Sequence, residues 1–432
     1  MGSRFSKTQK KTDRDGRYSI SYDRPPKNHS FSLAIIHMSI CLVTCAGVSF
    51  RAVSKVFIHL NLYLRLNLDI PTHTTVLNWT KKQGISQFRS RDYYQDQKWV
   101  LIADESIQFG NKKLLLILAV PEQRCNQSKP ISYKDLTPLV LKVSASWKSN
   151  DISTEIKEHI DLNQVAYCIS DTGSNLSCAF KLLKCKHIVD INHKFSSIIQ
   201  SVYGKQRSLD QYTKSLALLR AQKSMSKIAR IVPPNQRIMS RFMNLTPLFE
   251  WGLKMFHLLD NNQLSDEEKV ALSFLEPFRE FVGDTYQILI SLQNIQKILK
   301  NNGFNKMTVK EALKQFSNLK SDNSLKIKKR IEEYFDDLTL NAEGKTICCS
   351  SDIIESCFGK YKEIVKGNKT VGISDLCLCI AAMMGINIPN KTNQAMETVS
   401  IKQVREWGRQ NNTKTLLAEK IELNKIIERN KY

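Results

Sequence analysis

The chain has 432 residues, 42% of them hydrophobic, which is enough apolar material for two to four structural units with sizeable cores. Its 64 Lys and Arg exceed its 41 Asp and Glu by 23 charges, which favours a polyanionic partner: nucleic acid, or less strongly a membrane surface. The eleven cysteines follow no regular framework, which argues against a disulfide scaffold and indicates a reducing compartment.

The first 30 residues predict a flexible basic arm. They carry eight Lys and Arg against three Asp and do not resemble a secretory signal. The apolar stretch that follows, residues 32–49, contains His37, Ser39 and Thr44. An amphipathic helix follows it at once, so we expect a buried first helix rather than a membrane span.

Residues 31–90 predict a small helical domain. Ser49 and Thr72 are suitable N-caps for two helices, and Gly84 is a suitable stop for the second. Two short helices, the second polar at its start and basic at its end, suggest a helix-turn-helix. A helical hairpin with a solvated basic face is an equally good interpretation. If the first interpretation is correct, the residues that face a DNA groove are His73, Thr74, Asn78, Lys81 and Lys82.

From Trp99 onward the pattern changes to apolar runs of strand length. The order between residues 99 and 193 is three strands, a helix, a strand, a helix and a strand. This order predicts a mixed sheet with helices packed on it.

Helical patterns then continue through residues 194–345. The stretch 205–241 holds nine Lys and Arg and a single acid, which indicates either a solvated face or phosphate contacts. Residues 346–385 contain a further amphipathic helix. Residues 386–432 predict a charged helical tail.

Three acids have the placement that phosphodiester chemistry requires. Asp104 closes an apolar run in "LIADES", Asp171 closes another in "CISDTGS", and Glu355 shares one helix face with Gly359 and Lys362 by i, i+4, i+7 spacing. Carboxylates at strand ends cost desolvation unless a metal compensates. A single strand-end Asp is often only a turn former, so the prediction depends on the joint placement of the three.

Such a set suits two Mg²⁺ ions about 4 Å apart, with Mn²⁺ as a substitute. Asp352, one turn before Glu355, is better explained as a residue at the helix start. Zinc is a weaker alternative, because the spacings of the nearby Cys and His residues match no common zinc pattern. The four residues concerned are Cys178, Cys185, His187 and His193.

The blocks "IADES", "ISDTGSNLSCAFKLL", "KHIVDINHKFSSII" and "SSDIIESCFGKYK" resemble the DDE transposases of bacterial insertion sequences. The leading "GVSFRAVSKVF" and "PTHTTVLNWTKKQGI" resemble the helix-turn-helix that precedes the core in such proteins. The resemblance covers roughly residues 35–385. It implies an α/β ribonuclease H-like core with a five-stranded mixed sheet, an N-terminal helix-turn-helix domain and a large all-helical insertion.

The resemblance also implies roles for the three acids. Asp104 would bridge two metal ions, and Asp171 and Glu355 would each hold one. The core would comprise residues 99–193 and 346–385, with residues 194–345 as the helical insertion between its two parts. Lys362 would contact DNA.

Two further residues of this chain match positions that have a supporting role in related transposases. A Cys-x-x-His pair follows the fifth strand there, and this chain has Asp190-x-x-His193. Such insertions can also supply a Trp that stacks on a base; Trp251 is the candidate, although a core position is the better interpretation. The Tyr-Arg-Glu-Lys signature of some subfamilies is absent, since Cys348 and Ser351 occupy the Tyr and Arg places.

The implied function is DNA strand cleavage and strand transfer by a homo-oligomer on double-stranded DNA, both element ends and target. We expect a cytoplasmic, nucleoid-associated protein without a membrane partner. Two alternatives stay open from the sequence. One is a non-catalytic DNA-binding protein derived from a transposase, and the other is a ribonuclease H-like nuclease that cuts without joining.

Overall fold

The computed structural model describes residues 24–89, 97–109, 112–236, 242, 244–365, 373–412 and 416–429. Most of the predicted basic arm therefore lies outside the described residues. The strands are β1 Trp99–Phe109, β2 Lys112–Pro121, β3 Thr137–Ser144, β4 Val165–Ser170 and β5 His187–Val189. The helices are α1 Leu33–Thr44, α2 Phe50–Leu64, α3 His73–Arg89, α4 Glu122–Cys125, α5 Ser149–His159, α6 Ser174–Leu182, α7 Ile191–Tyr203, α8 Arg207–Lys223, α9 Thr246–Asp260, α10 Asp266–Leu272, α11 Arg279–Asn302, α12 Lys306–Lys314, α13 Asp322–Ala342, α14 Asp352–Val365, α15 Leu378–Ala382, α16 Pro389–Thr398, α17 Ile401–Asn411 and α18 Leu416–Arg429.

The five strands form one mixed sheet in the order β3-β2-β1-β4-β5. β2 pairs antiparallel with both β1 and β3, whereas β4 pairs parallel with β1 and with β5. The parallel pairs need crossovers, and helices α5 and α6 supply them. The predicted five-stranded mixed sheet and its order of elements are confirmed.

Both faces of the sheet are buried, because side chains alternate between two cores along each strand. On β2, Leu114, Leu116 and Leu118 join one core, and Leu115 and Ile117 join the other. The second core is closed by α5 and α6. The first core continues without a break into the helices α7–α14. The helical insertion therefore packs on the same sheet face as the helix that carries Glu355.

The N-terminal helices do not stand alone. Helices α1, α2 and α3 share an apolar core in which Ile36, Phe57 and Val76 are fully buried. Ala395 and Met396 of α16 complete that core. A helix from the C-terminal tail is thus part of the unit that the sequence places within residues 31–90.

Gly84 does not end α3, contrary to the sequence-based prediction, since the helix continues to Arg89. A Cβ atom at Gly84 would lie 2.3 Å from the carbonyl oxygen of Leu378. The glycine instead allows α15 to approach the α3 backbone closely. This contact fixes α3 against the rest of the chain.

The described part of residues 194–345 consists of helices and turns, apart from one bridge between Phe304 and Ile347. Tyr212, Phe249 and Phe281 pack together in its interior, with ring centroids 5.1–6.4 Å apart. Within the described ranges, no helix combines the length and the apolar composition needed to cross a membrane.

Candidate functional site

The register of β1 and β4 places Asp104 and Asp171 side by side. Ile102 pairs with Ile169 in the parallel ladder. Asp104 lies two residues after Ile102, and Asp171 lies two residues after Ile169, so the two acids lie at the same level of the sheet. β4 ends at Ser170, and Asp171 Oδ1 accepts a hydrogen bond of 2.9 Å from the backbone nitrogen of Gly173 at the turn into α6. The expectation that Asp104 closes its strand is wrong. β1 continues to Phe109 because it pairs with β2 in a hairpin.

The Asp104 carboxyl is half-buried and lies in a field of negative charge. Burial and the negative charges of Asp171 and Glu355 together raise its pKa to about 7, while His193 acts in the opposite direction. An acid with this environment binds a proton readily near neutral pH. A divalent cation would relieve the same excess of negative charge.

Glu355 reaches the site from α14. The inner face of this helix is apolar, with Ile354, Phe358 and Tyr361 each at most 2% exposed. Glu355 and Lys362 lie on the other face and both line one cavity, as their helical spacing predicts. The packing of α14 against the sheet therefore places an acid and a cation beside Asp104.

His193, in the first turn of α7, faces Glu355. Its Nε2 lies 3.7 Å from Glu355 Oε1. The pKa of His193 is raised by the contact with Glu355, and by the charges of Asp190 and Asp171, against a lowering by burial. A protonated His193 thus balances part of the negative charge of the cluster.

Asp190 fixes the two helices that carry His193 and Glu355. Its side chain is fully buried. One carboxylate oxygen accepts hydrogen bonds from the backbone nitrogens of Asn192 and His193, at 2.8 and 3.0 Å. The other accepts from the backbone nitrogen and the hydroxyl of Ser351, at 2.6 and 3.0 Å. Burial raises the pKa of Asp190, and these hydrogen bonds lower it in part.

This role of Asp190 is not among those predicted from the sequence. An Asp between a strand and a helix is a typical N-cap, and that signal was available. Its second partner, Ser351, lies 161 residues away in sequence and could not be predicted locally.

Asp352 points away from the cavity. Its carboxylate pairs with Lys300 on α11 and accepts a hydrogen bond from Asn192. The backbone nitrogen of Asp352 donates to the hydroxyl of Ser350 at 3.3 Å, as expected at the start of a helix. Glu355, and not Asp352, is the acid of α14 that meets Asp104.

The cavity that Asp104 and Glu355 line has a volume of about 1020 Å³. The sheet and α14 contribute some of its described lining residues, and the insertion helices α7 and α11 contribute others, together with Gln236 and Thr246. The site therefore lies between the sheet and the helical insertion.

The three acids suit a hard cation, because they offer carboxylate oxygens in a site with uncompensated negative charge. Their ligand atoms do not all lie within 4.8 Å of one another, which would be the spacing around one ion. Two ions about 4 Å apart need a wider set, since the outer acids each hold a different ion. The three acids therefore offer the oxygen ligands that a hard cation such as Mg²⁺ prefers, at a spacing wider than that around one ion.

A different group of described residues does meet the single-ion spacing. Glu155, Glu158 and His159 on α5 have ligand atoms within 4.8 Å. Glu155 is already paired with Lys142, and the group lies away from the cavity. The four residues considered for zinc form no such group, and His187 is hydrogen-bonded to Ser170 at 2.9 Å.

Two residues predicted to face a DNA groove point into the protein instead. Lys81 Nζ pairs with Asp375 Oδ1 at 2.9 Å. Lys82 Nζ lies 3.2 Å from His29 Nε2 and 3.3 Å from the carbonyl oxygen of Met396, and burial lowers its pKa. The prediction is wrong for both lysines, because tertiary packing encloses the second half of α3.

The remaining groove candidates lie at the start of α3. His73 and Thr74 are exposed and Asn78 is half-buried. Trp251 is 7% exposed, and its Nε1 donates to the carbonyl oxygen of Ile231 at 3.1 Å. It is a core residue of the insertion, so its assignment as a supporting residue of the site is wrong.

Of the residues singled out by the sequence, Asp104, His193, Glu355 and Lys362 line one cavity, and Asp171 lies beside Asp104. Lys81, Lys82 and Trp251 have structural positions elsewhere. No protein-family model matches the chain, and no curated protein matches it either. The assignment of a function therefore depends on the geometry of these side chains.

Proposed function

We propose that the protein is a transposase that cleaves and joins DNA strands, with Asp104, Asp171 and Glu355 as ligands of two Mg²⁺ ions. The observation that carries this proposal is that the three acids lie close together although they are far apart in sequence. Two come from neighbouring parallel strands at the same level, and the third comes from a helix in front of them. The charges of Asp171 and Glu355 both raise the pKa of the Asp104 carboxyl.

The fold supports the same proposal. The mixed sheet, with three antiparallel strands followed by two parallel ones, agrees with a ribonuclease H-like core. The helices between α7 and α13 separate the second acid from the third, as in transposases with a helical insertion. The third acid, Glu355, lies 184 residues after Asp171 in sequence. The packing of α14 on the sheet places it near the first two acids.

The chain's own residues have distinct tasks in this proposal. Two bound Mg²⁺ ions would activate the attacking oxygen and stabilise the leaving oxygen of an in-line displacement. Lys362, two turns after Glu355, offers an ammonium group to a phosphate at the cavity. His193 lies with its Nε2 3.7 Å from Glu355 Oε1, so a protonated His193 would orient this carboxylate while its other oxygen stays available to a metal ion.

The net charge of +23 supports a DNA partner. Lys205, Arg207 and Lys227 of the basic stretch are exposed. Other members of that stretch serve the fold: Arg230 pairs with Glu268, and Arg220 donates to the carbonyl oxygen of Pro233. We expect the exposed group to contact phosphates.

The test is cleavage of a labelled DNA duplex carrying the element end, in Mg²⁺ or Mn²⁺, with Ca²⁺ as a binding-only condition. The variants are Asp104→Asn, Asp171→Asn and Glu355→Gln, each of which removes one charge and keeps the shape. Each should abolish cleavage and joining and leave DNA affinity in Ca²⁺ unchanged, because loss of a carboxylate weakens metal binding.

Asp352→Asn is the matched control, one turn away on the same helix. It should retain cleavage, with a modest loss of stability from the weakened contacts to Lys300 and Asn192. If Asp352→Asn is inactive and Glu355→Gln cuts normally, the third acid is misassigned. If the parent protein binds DNA and never cuts it, a non-catalytic DNA-binding role replaces the proposal.

A further inference from the structure

A cluster of three polar side chains lies near the start of β4, whereas Asp171 lies beyond the end of that strand. Its members are Cys125, Tyr167 and Cys348. Cys125 ends α4, directly after β2, and Tyr167 belongs to β4. Cys348 lies in the segment between α13 and α14. Three parts of the chain that are far apart in sequence therefore meet at these side chains.

The two thiols of this cluster are in contact. Cys348 Sγ lies 3.8 Å from the carbonyl oxygen of Cys125, and the two side chains are hydrogen-bonded. The hydroxyl of Tyr167 accepts from the backbone nitrogen of Cys348 at 2.9 Å and also contacts the Cys125 thiol. These contacts hold two cysteines side by side that are 223 residues apart in sequence. Such contact is the first requirement for a disulfide.

The two thiols differ in their access to solvent. Cys125 is 1% exposed, and the hydrogen bond with Cys348, together with burial, raises the pKa of Cys125. Cys348 is half-buried and lines a cavity of about 120 Å³, which Cys125 does not line. This volume admits a small peroxide, since a water molecule takes up about 30 Å³ in the liquid. An oxidant that enters the cavity therefore meets Cys348 first.

We propose that Cys348 is a peroxide-sensitive thiol and that Cys125 forms a reversible disulfide with it. The Cys348 thiolate attacks one oxygen of hydrogen peroxide, the O–O bond breaks, and a sulfenic acid and hydroxide form. The sulfur of Cys125 then attacks the sulfur of Cys348, and the hydroxyl group leaves as water with the proton of Cys125. In total, two thiols lose two electrons and two protons, and the peroxide becomes two water molecules.

The position of Cys348 gives this bond a structural consequence. Cys348 lies just before α14, and Ser351 anchors the start of that helix to the buried carboxylate of Asp190. A disulfide would join the same segment covalently to α4, and through α4 to β2 of the sheet. The oxidised protein would therefore hold the start of α14, the helix of Glu355, more firmly than the reduced protein does.

The test is peptide mapping of the full chain after brief exposure to hydrogen peroxide, with the remaining thiols alkylated before digestion. A pair of peptides joined through Cys125 and Cys348 should appear, and dithiothreitol should separate them. Fragmentation distinguishes Cys348 from Cys349 and Cys357, which lie on the same tryptic peptide. Failure to find the joined pair, or its equal formation in a chain unfolded in urea, would overturn the proposal.

Cys125→Ser separates the two chemical steps. Without Cys125, the sulfenic acid at Cys348 should persist and react with dimedone, which labels sulfenic acids. Cys348→Ser should leave Cys125 unlabelled, because Cys125 is buried. Cys185→Ser is the matched control and should leave the disulfide unchanged, since Cys185 is also half-buried and hydrogen-bonded to another thiol, that of Cys168. Labelling of Cys348 in the parent without a disulfide would contradict the role of Cys125.

Hydrogen exchange tests the restraint on α14. Oxidation should slow the exchange of the backbone amides of residues 347–352 in the parent and leave Cys348→Ser unchanged, because only the parent forms the bond. Equal exchange before and after oxidation of the parent would contradict the restraint. Neither measurement involves DNA, so a failure of the proposed function would leave this inference standing.

Discussion

Asp190 Oδ2 lies 2.6 Å from the backbone nitrogen of Ser351, so one buried carboxylate joins the start of α14 to the start of α7. The backbone nitrogen of Ile191 also donates to the carbonyl oxygen of Cys349 at 2.9 Å. These contacts set the distance between the first turns of the two helices. His193 and Glu355 face each other as a result.

Replacing Asp190 should disturb both helices at once. Asp190→Ala leaves buried backbone N–H groups of both helices without their acceptor, and we expect a loss of about 2–5 kcal/mol in the free energy of unfolding. Ser351→Ala removes only the hydroxyl contact and should cost about 1 kcal/mol. Denaturant unfolding measures both values.

Asp161 provides a control for Asp190. It caps a short 3₁₀ turn through a 2.9 Å hydrogen bond to the backbone nitrogen of Asn163, and it lies away from the cavity. Asp161→Ala should cost about 1 kcal/mol or less, as for an exposed cap. If Asp161→Ala and Asp190→Ala lower the free energy of unfolding by similar amounts, Asp190 is an ordinary helix cap.

Asp104→Asn should stabilise the metal-free protein above neutral pH. The raised pKa of Asp104, about 7 against an ordinary 3.8, means that the folded state binds this proton more tightly than the unfolded state does. The free energy of unfolding therefore falls as pH rises from about 4 to about 7, and the deprotonated acid lowers stability above that range. Asn cannot ionise, so the variant should exceed the parent by about 1–3 kcal/mol at pH 8 and match it near pH 4.

Thermal unfolding in a chelator at both pH values measures this difference. His193 interacts with Asp104, so the comparison is repeated in a His193→Gln background, where the same sign of difference is expected. Added Mg²⁺ should stabilise the parent and have little effect on Asp104→Asn. A parent that is more stable than the variant at pH 8 without metal would show that Asp104 is not held in a field of negative charge.

The pKa of His193 should fall in Glu355→Gln. The contact with Glu355 is the largest cause of its elevation, and burial, which remains, acts downwards. A pH titration of the imidazole signal by NMR measures the change. Asp352→Asn should leave the titration of His193 as it is in the parent. An unchanged His193 pKa in Glu355→Gln would mean that the two side chains are not in contact in solution.

Lys82→Ala should act on stability and not on DNA binding. Lys82 is 9% exposed and donates to the carbonyl oxygen of Met396, so its removal leaves a gap and takes one of two donors from that oxygen, the other being His29. We expect a loss of about 1–3 kcal/mol. The salt dependence of DNA affinity should not change, because a buried ammonium group releases no counterions from DNA. Lys55→Ala, at an exposed position on α2, should leave stability unaltered.

The sheet could be predicted because its strands are continuous apolar runs of a length that helices seldom have. The end of β1 could not be predicted in the same way. Beyond Asp104 the continuous apolar run gives way to the mixed sequence "ESIQF", which the hairpin with β2 keeps extended. The three acids were recognisable from local patterns. Asp104 and Asp171 each follow an apolar run, and Glu355 lies on the polar face of a helix whose other face is apolar.

Several predictions for α3 are wrong, because residues distant in sequence bury its side chains and bind its two lysines. The carbonyl group that binds Lys82 lies 314 residues away, and the acid that binds Lys81 lies 294 residues away. A lysine at the end of an amphipathic helix is normally solvated, so local pattern favoured exposure. The contact between Cys125 and Cys348 was also unpredictable, because the two cysteines lie 223 residues apart.

The completion of the N-terminal core by α16 affects the order in which the chain can fold during synthesis. About 300 residues separate the end of α3 from Met396, and a ribosome needs roughly 15–60 s to add them at 5–20 residues per second. During that time the core of α1, α2 and α3 lacks Ala395 and Met396 of α16, which complete it in the finished protein. The nascent chain therefore presents an incomplete apolar surface until α16 emerges, and a chaperone that shields such surfaces would be most useful for this segment.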